Sequence, residues 1–308
     1  MLCVGGPLEA EPSELPPQVG YSYGEVETAR AAGMGGALRA FSNSLEALQL
    51  NPANLAASRV YHMGGLAQFW TAANRQTYGL GIVDSVVSRS RLAGGVSANW
   101  LFQDPDGVDR RGLDIRFGLG FPLSDKFLVG ASGRYVDLSQ DGFPRGREVL
   151  PPSLASSGLN QESIIKDITI DAGLSIRPTP ELAFSVVGNN LTDPGHSLLP
   201  LTFGGGVGYG TNLFTLEADV VGDFTTYDET KLRAMGGLEI LAGGQYPLRL
   251  GYRYDDGQSS HALSGGIGYV SKEFSFDASL RRIFGEEGAT AFFFGLKYHV
   301  ESLGLTGE

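Results

Sequence analysis

The sequence predicts an all-β fold, a transmembrane antiparallel β-barrel of about fourteen strands that follows a short helical segment. Three observations carry this. From Val60 onward, apolar and polar side chains alternate with a period of two, in segments of about 9–12 residues, the length of a tilted strand that crosses a bilayer. The links between segments are short at one set of turns and generally longer at the other. Glycine makes up 45 of the 308 residues, roughly twice ordinary usage, with no period of three that would suggest collagen.

Residues 1–23 read as a leader. Leu2-Cys3-Val4-Gly5-Gly6 ahead of Leu8-Glu9-Ala10 has the composition of the tail of an export signal, and an ordinary chain terminus is the other reading. Residues 24–58 are a unit of different character, rich in alanine and leucine. They predict two short helices interrupted at Gly33-Met34-Gly35-Gly36, the second capped by Ser42 or Asn43 and ended by Asn51-Pro52.

Residues 59–308 form the barrel. Strands are expected near 60–70, 75–87, 91–103, 111–121, 126–138, 164–177, 181–190, 200–210, 213–224, 230–241, 245–255, 260–270, 273–284 and 289–301. Leu113, Ile115, Phe117, Leu119 and Phe121 alternate with Asp114, Arg116, Gly118 and Gly120, and Ile168, Ile170, Ala172 and Leu174 alternate with Thr169, Asp171, Gly173 and Ser175. Inner turns are expected at 122–126, 178–181, 210–212, 243–245 and 271–273. Outer loops are expected at 104–110, 139–163, 191–199, 225–229, 256–259 and 285–288, with an unusually tight first link near Ala72-Ala73. A soluble sandwich has no reason to keep this asymmetry. Aromatic residues such as Tyr78, Trp100, Phe127, Tyr209, Tyr246 and Tyr298 recur near strand ends, as in an interfacial girdle.

The polar face is heavily charged. Asp114, Arg116, Arg134, Asp167, Asp171, Arg177, Glu217, Asp219, Asp223, Lys231, Arg233, Glu239, Arg249, Arg253, Asp277, Arg281 and Lys297 are expected to face the lumen. Charges removed from bulk water must be paired or hydrated, so they make either a polar path for solute or a bracing network that holds the N-terminal segment. Arg30, Arg39 and Glu46 are the charges on the expected helices of that segment, with partners expected among wall residues such as Asp171, Glu217, Arg249 or Arg281.

Other chemistry is missing from the sequence. There is one cysteine, Cys3, so no disulfide framework or zinc cluster is expected. A net charge of -11 argues against nucleic acid. No Gly-x-Ser-x-Gly stretch occurs. His62, His196, His261 and His299 have no metal-binding spacing, and Gly204-Gly205-Gly206-Val207-Gly208 lies in an alternating strand with no following lysine. An enzyme, a cofactor and a metal site are therefore not expected.

The stretch from Gly33-Met34-Gly35-Gly36-Ala37 to Asn51-Pro52-Ala53-Asn54-Leu55 resembles the start of the superfamily that holds the FadL-type long-chain fatty acid transporters and the PorV-type proteins of type IX secretion. Val187-Gly188-Asn189-Asn190-Leu191-Thr192-Asp193 with Leu199-Pro200 resembles a weaker mid-barrel pattern of the PorV-like branch. The resemblance implies that residues 24–58 fold into the lumen as a hatch. Gly33, Gly35, Gly36, Asn51, Pro52, Ala53 and Asn54 are then its hatch and gating residues. It further implies the outer membrane of a Gram-negative cell, both termini periplasmic, with outer-membrane lipid and lipopolysaccharide as surroundings. Two functions stay open. One is passive uptake of small hydrophobic solutes through a hatch-gated lumen. The other is a structural barrel that serves an envelope complex for secretion or motility. Two departures weaken a fatty acid specificity: only one outer loop is long, and the lumen is strongly charged. The barrel also predicts that Leu174→Arg, facing lipid, is costly and Ser175→Arg, facing the lumen, is tolerated.

Overall fold

The computed structural model describes residues 26–71, 74–86, 91–103, 109–141, 162–194, 199–227, 229–284 and 289–299. The expected leader 1–23, Ala72-Ala73, His196 and most of the loop expected at 139–163 lie outside them.

Fourteen strands close into one antiparallel barrel, each paired with its sequence neighbours and β1 with β14. They are β1 Tyr61–Trp70, β2 Arg75–Asp84, β3 Ala93–Gln103, β4 Asp109–Pro122, β5 Phe127–Asp141, β6 Glu162–Ile176 and β7 Leu182–Asn189. The second half is β8 Thr202–Gly210, β9 Phe214–Asp223, β10 Lys231–Ala242, β11 Tyr246–Asp255, β12 Ser260–Val270, β13 Phe274–Phe284 and β14 Thr290–His299. Closure leaves no edge strand, so every spanning segment has a hydrogen-bonded neighbour on each side. The expected strands are all present, most within two residues of their expected ends.

One end of the barrel, here the turn end, carries the tight links 123–126, 211–213, 243–245 and 271–273. The other, the loop end, carries the links 142–161, 190–201 and 224–230. Two links depart from the expected asymmetry: 85–92 is long for the turn end and 256–259 is tight for the loop end.

The alternation resolves into two faces. Phe117 is 56% exposed and Leu250 66%, while Arg116 and Arg249 beside them are each 4% exposed. The outward face is an apolar belt, with aromatic contacts near its ends: Tyr246 to Tyr269 at 5.6 Å and Tyr269 to Phe274 at 5.7 Å at the turn end, Phe203 to Phe224 at 5.8 Å at the loop end. Such a surface is stable facing hydrocarbon and unstable facing water.

Pairing is uneven at one seam. β5 and β6 pair from Phe127–Ile176 out to Gln140–Glu162, but β6 pairs with β7 only over Ala172–Ile176. Beyond that point the chain after β7 folds back against β6. Leu191 N donates to Ile170 O at 2.8 Å, and Asn190 N to Asp171 Oδ1 at 2.8 Å. The second motif of the sequence is thus a clasp over this seam. Asn190 Nδ2 ties it to Pro200 O at 2.8 Å.

Candidate functional site

The lumen is filled by the N-terminal segment. Helix α1 (Ala29–Gly33) is capped by Thr28, whose hydroxyl accepts from Ala31 N at 3.3 Å. It lies against β11 to β14. Helix α2 (Ser44–Leu50) starts after Asn43, which makes no side-chain cap, so the expected capping role is not fulfilled there. A single 3₁₀ turn, Pro52–Ala56, follows and packs on β3 to β6. The helices are shorter than the alanine content suggests, because Gly33 to Gly36 and then Asn51-Pro52 redirect the chain.

Every expected hatch residue of the segment meets the wall. Gly35 and Gly36 sit at φ 70° and 90°, and a Cβ at Gly35 would meet the Tyr252 backbone at 2.7 Å. A Cβ at Gly33 would meet Ser279 Oγ at 2.7 Å. Asn51 is fully buried. Its Oδ1 accepts from Ala53 N at 3.1 Å, and its Nδ2 donates to Ser175 Oγ at 2.8 Å and Arg39 O at 3.0 Å. Asn54 Nδ2 donates to Arg39 O at 2.9 Å and Ser42 Oγ at 3.0 Å. Pro52 and Ala53 press on β5, where a Cβ at Gly130 would overlap their backbone.

The charges pair differently from the expectation. Arg30 is held by Glu239 at 2.8 Å, Arg39 by Asp219 at 3.2 Å, and Glu46 by Lys297 at 2.6 Å. None of these three side chains takes Asp171, Glu217, Arg249 or Arg281 as its ion pair. Instead Glu217 accepts from the backbone N–H of Ala40 at 2.5 Å and of Phe41 at 3.1 Å, beside Asp219, which accepts from Leu38 N and Arg39 N at 3.0 Å and 3.1 Å. Four successive N–H groups therefore rest on two carboxylates of β9. Arg249 bridges Glu239 and Asp277, each at 2.6 Å.

Glu27, which the sequence did not single out, is the most heavily paired residue of the segment. Arg253 and Arg281 both hold its carboxylate, and Arg253 Nε also reaches Gly35 O at 3.1 Å. Burial pushes the Glu27 carboxyl up, but the two guanidiniums outweigh it and bring it down to about 2.

The remaining wall charges brace the barrel. Arg134 pairs with Asp114 at 2.6 Å, Arg116 with Asp114 at 3.4 Å and Asp171 at 3.6 Å, and Arg233 with Asp255 at 3.0 Å. Arg116 Nη1 also donates to Gln49 O at 3.0 Å. Asp167, expected in the lumen, is exposed, because β6 there runs past its pairing with β7.

Sequence reasoning also missed the glycine seats. Met34 lies where a Cβ at Gly237 would be, Phe41 where one at Gly208 would be, and Leu45 where one at Gly64 or Gly81 would be. Inward-facing glycine in a strand was the available signal. His62 and His299, far apart in sequence, stack at 4.5 Å. Among the described residues no three His, Cys, Asp or Glu side chains stand close enough to hold a metal.

Above the segment, toward the loop end, a recess has a floor of Val26, Arg39, Gln49 and Leu50. Its wall carries Arg116, Arg134, Lys231 and Arg233 with Asp171, Asp223 and Asp255. Its free volume is about 50 Å³.

No family model matches the chain, and no curated protein matches its sequence. Solved structures match its fold. A CymD monoaromatic hydrocarbon channel is similar at TM-score 0.71 and 16% identity, over 92% of this chain and 98% of that one. A FadL homologue of Pseudomonas aeruginosa is similar at TM-score 0.62 and 15% identity, over 89% and 99%. The toluene transporter TbuX of Ralstonia pickettii is similar at TM-score 0.60 and 14% identity, over 89% and 98%. The likeness to FadL-type barrels is thus borne out in the fold.

Proposed function

We propose that this chain is an outer-membrane channel for passive uptake of small hydrophobic solutes, with residues 24–58 as its gate and both termini on the periplasmic side. The observation that supports it is the described part of that segment, which fills the lumen of a closed fourteen-stranded barrel. The fold is shared with structures described as hydrocarbon and toluene channels. An apolar belt facing lipid and lipopolysaccharide suits this location. Gly35, Gly36 and the Asn51-Pro52 turn are the places where the segment bends, and they are its hinges in this reading. No energy source is needed, since a solute moves down its gradient once the segment shifts.

A second reading rests on the same plug. Four ion-paired side chains, Glu27, Arg30, Arg39 and Glu46, bolt the segment to the wall. A barrel closed this firmly also suits a structural anchor for an envelope complex. Liposome swelling and planar-bilayer conductance, with the whole chain and with residues 24–58 deleted, separate the two. Uptake predicts a low, solute-dependent permeability that rises on deletion. A barrel silent in both forms refutes it and leaves the anchor.

A further inference from the structure

We infer that the outward face of β8 to β13 is a docking site for lipid A, its acyl chains lying in a groove over Ala218 and Gly236 and a phosphate held by Arg282 at the loop-end rim. This rests on the outer-membrane reading, in which both termini are periplasmic and the loop end lies in the outer leaflet.

The groove follows from the strand register. Val207, Ala218, Gly236, Tyr252, Leu263 and Arg282 are direct cross-strand neighbours, one on each strand from β8 to β13. Opposed residues share a face of the sheet, and this row lies on the outward one. Ala218 and Gly236 make a dip in it. A Cβ at Gly236 would meet only Glu217 O, at 4.0 Å. Val207 and Leu216 stand on one side of the dip and Leu250 and Tyr252 on the other, and the groove they wall has a free volume of about 750 Å³.

The row climbs toward the rim. Val207 and Gly236 lie five residues from the loop ends of their strands, at Thr202 and Lys231. Leu263 lies three from Ser260, and Arg282 two from Phe284. A chain lying along the row therefore runs from the middle of the apolar belt up to a cation.

That cation is unusual. Among the described residues of β7 to β14, Arg282 is the one lysine or arginine on the outward face. Its Nη1 donates to Thr290 Oγ1 at 2.8 Å, and it pairs with no carboxylate among the described residues. A guanidinium on a lipid-facing surface is costly toward the bilayer midplane and is tolerated at the interface. Its planar fork of N–H donors matches a phosphate. Tyr252 Oη and His261 Nδ1, 2.6 Å apart, add polar groups at the same rim.

The shape selects the occupant. From β8 to β12 the groove crosses four strand spacings, about 19 Å. That is wider than a two-chain phospholipid and suits the several chains that lipid A carries on one phosphorylated headgroup. A second copy of the barrel would bring the same hollow to an isologous contact, and two facing hollows leave unfilled space that forfeits packing contacts.

The test titrates the purified whole chain in detergent with lipid A and with phosphatidylglycerol, and counts bound lipid by native mass spectrometry. One lipid A per barrel is expected, bound at least tenfold more tightly than phosphatidylglycerol. Gly236→Phe, which fills the groove, and Arg282→Gln should each weaken lipid A at least tenfold, while Arg282→Lys keeps most of the binding. Gly133→Phe, on the opposite part of the outward face, should change nothing. Heat-modifiable gel mobility confirms that each variant is folded. Equal binding of the two lipids overturns the inference, as does lipid A binding that neither Gly236→Phe nor Arg282→Gln changes. A dimer mass that Gly236→Phe abolishes overturns it in favour of a second copy. An epitope inserted in the 256–259 link tests the orientation separately. An epitope detected on intact cells with no lipid A bound refutes the site alone, and one hidden until the outer membrane is opened refutes the orientation and with it the choice of lipid A.

Discussion

Gly130 and Gly133 lie on the same strand, three residues apart, and differ in what a side chain would meet. A Cβ at Gly130 would overlap the backbone of Pro52 and Ala53, whereas nothing lies within 4 Å of a Cβ at Gly133. Gly130→Leu therefore strikes main chain that no rotamer change can move aside. Overpacking of this kind costs about 1–3 kcal/mol, and two backbone groups on the path put this case near the upper end. The Asn51 bonds to Ser175 at 2.8 Å and to Arg39 O at 3.0 Å oppose undocking equally in both proteins, so the clash alone shifts the balance of undocked to docked hatch, by up to about 3 kcal/mol or on the order of a hundredfold. Gly133→Leu adds apolar surface to the lipid face and should be silent. The assay is liposome swelling with a small sugar, with gel mobility as the folding control. Equal permeability of the two folded variants would refute the reasoning, because it would mean that the turn does not close the lumen.

Lys297→Met leaves the Glu46 carboxylate buried beside a cation it has lost, which should cost about 3–5 kcal/mol in denaturant unfolding; adding Glu46→Leu should recover much of it. Glu27 sits at about 2 on docking against an ordinary 4.5. A depressed carboxyl contributes stability that is complete above about 4.5 and is lost as pH falls from there through about 2, so hydrogen-exchange protection of residues 26–58 should fade over that window, and Glu27→Gln should flatten the dependence. Leu174→Arg should destabilise the barrel by about 2–4 kcal/mol if it lies near the bilayer midplane. Ser175→Arg should be at least as damaging, measured in the same unfolding series, because Ser175 is fully buried against Asn51; this reverses the expectation drawn from alternation.

That reversal marks how far the sequence could be read. Alternation told which side of β6 faces lipid, since it depends only on a period of two and the lipid side has one chemistry. It could not tell what Ser175 meets, because the lumen is occupied by a segment more than a hundred residues away in sequence. The strands, their number and most links were legible for the same local reason. The inward charges were legible as a set, but their partners were not. Arg39 takes Asp219 and not Glu217, two residues along the same face, because the 38–41 turn presents its N–H groups to both. Glu27 escaped notice because one acidic residue ahead of a short helix looks like any solvated charge until two arginines of distant strands close on it.

The two halves of the plug lean on different parts of the wall, with ion pairs concentrated in the first. Residues 26–41 dock on β8 to β14 through ion pairs and backbone N–H groups at Glu27, Arg30 and the 38–41 turn, and through apolar seats, with Met34 over Gly237 and Phe41 over Gly208. Residues 44–56 dock mostly on β2 to β6 through apolar knobs, with Leu45 over Gly64 and Gly81, Leu48 over Gly118, and the Pro52 turn over Gly130. Leu45, Leu48 and Leu55 also form one buried cluster with Val83 and Ala93. Polar contacts exchange readily for water or for another charge, whereas withdrawing leucines from glycine seats exposes apolar surface at about 25 cal/mol per Å². In the uptake reading, opening along the β9–β11 wall takes a local shift of residues 36–41, between the paired glycines Gly35-Gly36 and the start of α2, and not ejection of the whole plug.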